Sequence, residues 1–138
     1  MVTLIDTSLW IDFTRARSPQ SLKQFIAPHI LRADASLAEP VVFEVLRYAS
    51  SREIDILKSQ FEAFPMLSTP SDLWSAGIAL DQACSDRGFK AGAMDLLIAT
   101  TAIYHNAMLV TFDDDFRTIA AASSLRVELL QRPVTSPN

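Results

Sequence analysis

The chain has 138 residues, of which 49% are hydrophobic and 20% charged, and its formal net charge is −4. This length and apolar content are typical of one globular domain and exclude disorder as a description of the whole chain. The acidic balance excludes nucleic-acid binding through a generally basic surface, unless the acids are gathered where a metal neutralises them.

Several further classes of protein are excluded by features that the sequence lacks. Its apolar stretches fall well short of the roughly 20 residues that a membrane span needs. The N-terminal segment MVTLIDTSLWIDF has no basic region and carries acids, so it is not a signal peptide. Only three glycines occur and none forms a phosphate-binding loop, while the single Cys84 cannot form an internal disulfide. We therefore expect a cytoplasmic protein with no membrane partner.

Short apolar runs alternate with segments of helical periodicity along the chain. In chain order, the pattern predicts strands at residues 2–5, 35–37, 65–67, 108–111 and 125–130. It predicts helices at residues 7–15, from 18 onward, and at 39–49, 52–64, 70–87, 95–106 and 113–122. Such alternation predicts an α/β fold, a three-layer α/β/α sandwich on a short parallel sheet of about five strands. We expect a single domain over residues 1–132 and a flexible tail at 133–138.

Four acidic residues stand where this architecture would bring them together. Asp6 follows the first predicted strand and Asp113 follows the fourth, so both would open on one rim of the sheet if these strands are neighbours. Asp95 begins an apolar helix in this prediction. Glu44 is the only charged residue in the apolar run 41–46.

Each of these acids also has a purely structural explanation. Asp6 and Asp95 could cap or begin helices, and the acids at 113–115 could lie at the positive end of a helix dipole. Glu44 could pair with Arg47 on the next helical turn. Such explanations treat one acid at a time, whereas a site for a hard divalent cation accounts for all of them together.

The motifs resemble those of the PIN-domain nucleases, and among these the VapC-type toxins of type II toxin–antitoxin modules. The resemblance covers nearly the whole chain to about residue 129, and it rests on Glu44 and on the segments Leu4-Ile5-Asp6-Thr7-Ser8, Asp95-Leu96-Leu97-Ile98-Ala99 and Leu109-Val110-Thr111-Phe112-Asp113-Asp114-Asp115-Phe116. It implies a PIN-like sandwich and a ribonuclease that depends on Mg²⁺ or Mn²⁺. It also implies a homodimer and inhibition by a cognate VapB-like antitoxin.

The resemblance further assigns roles to individual residues. The implied catalytic acids are Asp6, Glu44, Asp95 and Asp113. The implied metal ligands are Asp6, Asp95, Asp113 and Asp115, and the hydroxyls near them are those of Thr7, Ser8 and Thr111. Charge alone selects the candidate RNA-binding residues Arg15, Arg17, Arg47, Arg87 and Lys90.

A metal held by carboxylates suits phosphodiester hydrolysis, because the cation offsets the phosphate charge and lowers the pKa of a bound water. Asp95 and Glu44 are the candidates for the base that takes the proton of this water. The expected products carry 5′-phosphate and 3′-hydroxyl ends. A ribonuclease that works without metal would normally use a histidine pair, and His29 and His105 share no motif.

Two other functional classes remain open at this point. A phosphatase or phosphotransfer domain could also place an aspartate after its first strand, but it would need a second aspartate where Ser8 stands. A catalytically silent PIN-like domain that binds nucleic acid or acts as a scaffold should have lost one of the four acids.

The three consecutive acids at 113–115 are expected to differ in direction. Residues that leave a strand keep its alternation, so Asp113 and Asp115 should face the site and Asp114 the solvent. If a helix begins at Asp113 instead, Asp115 should turn away.

Overall fold

The computed structural model describes residues 1–134, and within them a sheet of five parallel strands forms the centre of the molecule. The strands are β1 (Thr3–Ile5), β2 (Ala35–Ala38), β3 (Met66–Leu67), β4 (Met108–Thr111) and β5 (Arg126–Leu129). Their spatial order is β3-β2-β1-β4-β5. The predicted α/β fold with a short five-stranded parallel sheet is confirmed.

Seven helices connect and flank the strands within the same residues. They are α1 (Thr7–Thr14), α2 (Gln20–Ile30), α3 (Glu39–Arg47), α4 (Ser51–Phe61), α5 (Leu73–Asp86), α6 (Ala93–Tyr104) and α7 (Asp115–Ala121). Helix α4 begins one residue earlier than predicted, because the backbone N–H and the hydroxyl of Ser50 both donate to Glu53 and fix the start of the helix.

Two predicted helix starts near the acids are wrong. Helix α6 begins at Ala93, because Gly92 takes the extended conformation of an N-cap, so Asp95 lies inside the first turn. Helix α7 begins at Asp115 and not at Asp113, because the Asp113 side chain accepts the backbone N–H of Asp115 in a turn before the helix. As a result, Asp95 lies within α6 and not at its start, and Asp113 lies in the loop before α7.

Strands β1 and β4 lie inside the sheet, and their ends form the rim that carries the acids. Leu4, Ile5, Leu109 and Val110 are completely buried, as expected for parallel strands that are covered on both faces. The strands β1 and β4 run side by side with Ile5 opposite Val110. The pairing continues one residue further, because the backbone N–H of Asp6 donates to the carbonyl oxygen of Val110 at 3.0 Å. Asp6 therefore stands directly beside the end of β4.

None of the helices described within residues 1–134 has both the length and the apolar character that crossing a bilayer requires. Residues 135–138 of the predicted flexible tail lie outside the described part of the chain.

Candidate active site

Three aspartates converge at the rim of the sheet. Asp95, Asp113 and Asp115 each offer one carboxylate oxygen, and these oxygens all lie within 4.8 Å of one another. Asp95 comes from the first turn of α6, Asp113 from the loop after β4, and Asp115 from the start of α7. Converging carboxylate oxygens are the ligands that hard divalent cations prefer.

Asp6 lies beside this group but not within its 4.8 Å limit. Its side chain is almost fully buried, at 3% exposure, and caps α1 by accepting the backbone N–H of Ser8. Its Oδ2 also accepts the hydroxyls of Ser8 at 2.8 Å and Thr111 at 2.7 Å. The capping explanation is thus correct for Asp6, and it coexists with a place at the acidic rim.

Two hydroxyls connect Asp6 to the loop that carries Asp113. The Thr111 hydroxyl accepts the backbone N–H of Asp113 at 2.9 Å while it donates to Asp6. The Ser8 hydroxyl accepts the backbone N–H of Phe112 at 3.1 Å while it donates to the same carboxylate. Each hydroxyl therefore fixes an acid and the backbone of the β4–α7 loop at once.

Glu44 reaches the site from α3 and is held by α1. The hydroxyl of Thr7 donates to Oε1 of Glu44 at 2.9 Å. The pairing of Glu44 with Arg47 that helical spacing allowed is not among the ion pairs of residues 1–134. The Arg47 guanidinium instead lies 5.2 Å from the centre of the Tyr48 ring and 6.0 Å from that of Phe43.

The acids at the rim repel one another and resist ionisation. Burial first, and then the charges of Asp113, Asp6, Glu44 and Asp115, raise the pKa of Asp95 to about 7. Burial also raises the pKa of Glu44 and of Asp6, against the hydrogen bonds that these two acids accept. A bound cation would relieve this repulsion.

The loop at 113–115 brings Asp113 and Asp115 together for a reason other than the expected one. The backbone leaves the extended conformation at Asp114 (φ −73°, ψ −9°), so strand alternation does not continue. The two side chains share the cluster because the N–H of Asp115 donates to Oδ1 of Asp113 at 3.0 Å, as in an Asx turn. Asp114 is exposed.

The five basic residues selected by charge lie outside direct contact with the acids. Lys90 forms a 2.9 Å ion pair with Asp81, and Arg87 is exposed at the end of α5. Arg15 and Arg17 line an open hollow of about 770 Å³ beside Tyr48. Arg47 stacks on its aromatic neighbours as described above, and no ion pair within residues 1–134 joins any of the five to an acid of the site.

Arg132 lies at the site although the sequence analysis did not select it. Its Nε donates to Oδ2 of Asp12 at 2.6 Å, and its guanidinium lies 4.5 Å from the centre of the Phe112 ring. With Ser8, Phe112, Asp113 and Asp114 it lines a hollow of about 340 Å³. No sequence motif marks Arg132, and its only signal is that it follows a strand that ends at the same rim.

Comparison with known proteins places these features in a family. The sequence profile described as PIN domain matches residues 3–122. Ribonuclease VapC21 of Mycobacterium tuberculosis is 31% identical over 77 residues, so the match spans 54% of this chain and 56% of that relative, little more than half its length. Ribonuclease VapC11 of the same organism is 29% identical over 129 residues, which are 89% of this chain and 95% of that protein.

Solved structures share the fold at lower identity. The VapBC2 structure from Rickettsia felis, bound to a promoter DNA fragment, contains a chain that superposes with a TM-score of 0.73 at 20% identity, over 95% of this chain and 100% of that one. VapBC-1 from nontypeable Haemophilus influenzae gives a TM-score of 0.71 at 19% identity, over 94% and 98%. Since the matching profile covers most of the chain and every acid at the rim, this chain belongs to the PIN-domain family.

Proposed function

We propose that the chain is a VapC-type toxin, a metal-dependent endoribonuclease that hydrolyses RNA phosphodiester bonds and is neutralised by a cognate VapB-like antitoxin. The observation that carries the proposal is the convergence of Asp95, Asp113 and Asp115 within 4.8 Å, with Asp6 and Glu44 beside them. RNA as substrate is supported by two relatives that are named ribonucleases. All four acids of the implied quartet are present, which disfavours the catalytically silent alternative.

The residues fit a hard divalent cation, Mg²⁺ or Mn²⁺. The donors are carboxylate oxygens from two helices and the loop between β4 and α7, and burial together with the neighbouring acids raises the pKa of Asp95. Asp95, Asp113 and Asp115 would hold the ion, with Asp6 as the fourth candidate ligand. When bound, such an ion neutralises phosphate charge and lowers the pKa of a coordinated water.

Among the protein's own groups, Glu44 is the better candidate for the general base. Asp95 belongs to the group that would hold the ion, whereas Glu44 stands outside it. The Thr7 hydroxyl holds Oε1 of Glu44 in place, which leaves Oε2 to accept a proton. Burial raises the pKa of Glu44 towards the range in which a carboxylate works as a base near neutral pH.

The proposal extends to the state of the protein in the cell. We expect a cytoplasmic protein whose residues 1–132 form a single domain and which forms a homodimer. Support for self-association comes from large apolar side chains on the outer face of α5, where Trp74 is 71% and Ile78 is 62% exposed. Light scattering at tens of micromolar should give the mass of a dimer, and a strict monomer would contradict this expectation.

The decisive experiment compares RNA cleavage with and without metal. Purified protein should cleave structured RNA in Mg²⁺ or Mn²⁺ and leave it intact in EDTA, with 5′-phosphate and 3′-hydroxyl ends on the products. Asp113→Asn, purified in parallel, is the matched control for a contaminating nuclease. Cleavage that persists in EDTA or in this variant would contradict the proposal, and metal binding without any cleavage would favour the silent domain.

A further inference from the structure

The chain stays close to the end of β4 where it leaves the last strand. β5 ends at Leu129, and the backbone N–H of the next residue, Leu130, donates to the carbonyl oxygen of Thr111 at 2.8 Å. Leu130 therefore lies beside the end of β4, two residues before Arg132. Because β4 ends at the rim that carries the acids, Arg132 arrives at the same rim.

Two contacts hold the Arg132 guanidinium in one place. Its Nε donates to Oδ2 of Asp12 at 2.6 Å, and the guanidinium carbon Cζ lies 4.5 Å from the centre of the Phe112 ring. Both supports are themselves well packed, since the Asp12 side chain is 15% exposed and Phe112 is 9% exposed. The guanidinium is thus fixed by an acid on one edge and an aromatic face on one side.

The other edge of the guanidinium is available to a ligand. The Arg132 side chain is 51% exposed, and its terminal nitrogens donate to no acceptor within residues 1–134. An arginine whose Nε is engaged still presents N–H groups of both terminal nitrogens, the geometry that suits phosphate oxygens. A half-exposed ion pair contributes little to stability, so the fold itself gives no strong reason for this arrangement.

The available edge borders the hollow of about 340 Å³ described above. Two aspartates, Asp113 and Asp114, line the same hollow, and Arg132 is the one cation among the described residues that line it. A polyanion that approaches the site is repelled by these aspartates. A fixed cation in the same hollow attracts the phosphates that these aspartates repel.

We propose that Arg132 binds a backbone phosphate of the RNA beside the acidic cluster and so positions the strand for cleavage. This inference rests on the proposed ribonuclease function and deepens it by naming a residue that holds the substrate. Asp12 and Phe112 are positioning residues for Arg132 and do not themselves contact the RNA.

The test measures RNA binding without cleavage. A short fluorescein-labelled single-stranded RNA of mixed sequence is titrated in Ca²⁺ in place of Mg²⁺, over a series of KCl concentrations. Arg132→Ala should weaken binding about tenfold and reduce the slope of log affinity against log salt by about one, because one phosphate contact is lost. Arg52→Ala, at an exposed arginine of α4 that does not line this hollow, is the matched control and should bind as the wild type does.

Two further variants separate charge from geometry. Arg132→Lys keeps the charge and loses the planar fork, so it should keep the salt slope and lose part of the affinity. Asp12→Asn removes the support and leaves the arginine charge, and it should also weaken binding at an unchanged slope. Melting midpoints of all variants are recorded. If the role of Arg132 were purely structural, Arg132→Ala would lower the midpoint, and Arg132→Lys would bind RNA as tightly as the wild type does.

The outcomes distinguish this inference from the function on which it rests. If the wild type neither binds nor cuts RNA, the proposed function fails and this inference fails with it. If the wild type binds RNA and Arg132→Ala matches it in affinity and slope, the inference alone is overturned. It is also overturned if Arg132→Ala weakens only inhibition by the antitoxin, because the arginine would then belong to the contact with a protein partner.

Discussion

The Thr111 hydroxyl donates a 2.7 Å hydrogen bond to Oδ2 of Asp6, although the two residues are 105 positions apart in the chain. Thr111 is fully buried and Asp6 is 3% exposed, so this bond forms out of contact with water. It counteracts the burial that raises the pKa of Asp6. The same hydroxyl accepts the N–H of Asp113, and it therefore joins the acids that follow β1 and β4.

Thr111→Val should remove this connection with little change in volume. The substitution leaves the Asp6 carboxylate and the N–H of Asp113 short of a partner, so the free energy of unfolding should fall by about 1–3 kcal/mol. Cleavage activity should fall as well, because Asp113 loses its support. Urea unfolding measures the first effect. Thr100→Val is the matched control, since Thr100 is also buried but its hydroxyl has no partner among residues 1–134, and its unfolding free energy should not decrease.

The metal-free protein should lose stability as the pH rises from about 4 to about 7. The pKa of Asp95 is about 7 in the folded protein against an ordinary value of 3.8, so the folded state holds more protons than the unfolded chain over that range. Stability therefore decreases with pH there and levels off above it. Water screens the partly exposed Asp95, so we expect a loss of about 1–2 kcal/mol and not the roughly 4 kcal/mol that the full pKa difference would give. Urea unfolding in EDTA at several pH values measures this. Asp95→Asn should flatten the profile, and an equally steep profile in that variant would contradict the assignment.

Divalent metal should stabilise the fold. A cation that binds only the folded state and is present at about one hundred times its dissociation constant adds about 2.7 kcal/mol. Thermal melts should therefore shift upward in millimolar Mn²⁺. Asp113→Asn should lose most of the shift, whereas Asp55→Asn, at an exposed acid of α4, should keep it. An equal shift in all three proteins would indicate non-specific binding.

The three consecutive acids should differ in their effect on cleavage. Asp113→Asn should lower single-turnover cleavage by about 100-fold or more, and Asp115→Asn by about 10-fold, because both belong to the converging group. Asp114→Asn should be nearly neutral, since Asp114 is exposed and outside that group. If Asp114→Asn were the most damaging of the three, the placement of this loop would be wrong.

The positions of Asp6 and Asp113 at the rim could be read from the sequence, because apolar runs mark strands and the ends of parallel strands meet at one edge. The contact of Glu44 with Thr7 could not, since it depends on how α1 packs against α3. Helical spacing allowed an ion pair between Glu44 and Arg47, but the Arg47 guanidinium lies near the rings of its neighbours Phe43 and Tyr48 instead.

Arg132 shows a second limit of sequence reasoning. Its contacts with Asp12 and Phe112 join parts of the chain that no local periodicity relates. They become possible because β5 pairs with β4 and ends at the same edge of the sheet. The start of α6 is also mispredicted, because Gly92 caps the helix through its backbone conformation and offers no capping side chain that the sequence could reveal.

The place of β1 between β2 and β4 determines when the site can exist during synthesis. Leu4 of β1 pairs with Leu109 of β4, so β1 completes its pairing only after the much later strand β4 has been translated. Until then Asp6 lacks Thr111, Asp113 and Asp115, and the nascent chain has no assembled acidic cluster. The acidic rim can therefore assemble only in a late step, once the growing polypeptide has delivered β4 and the acids that follow it.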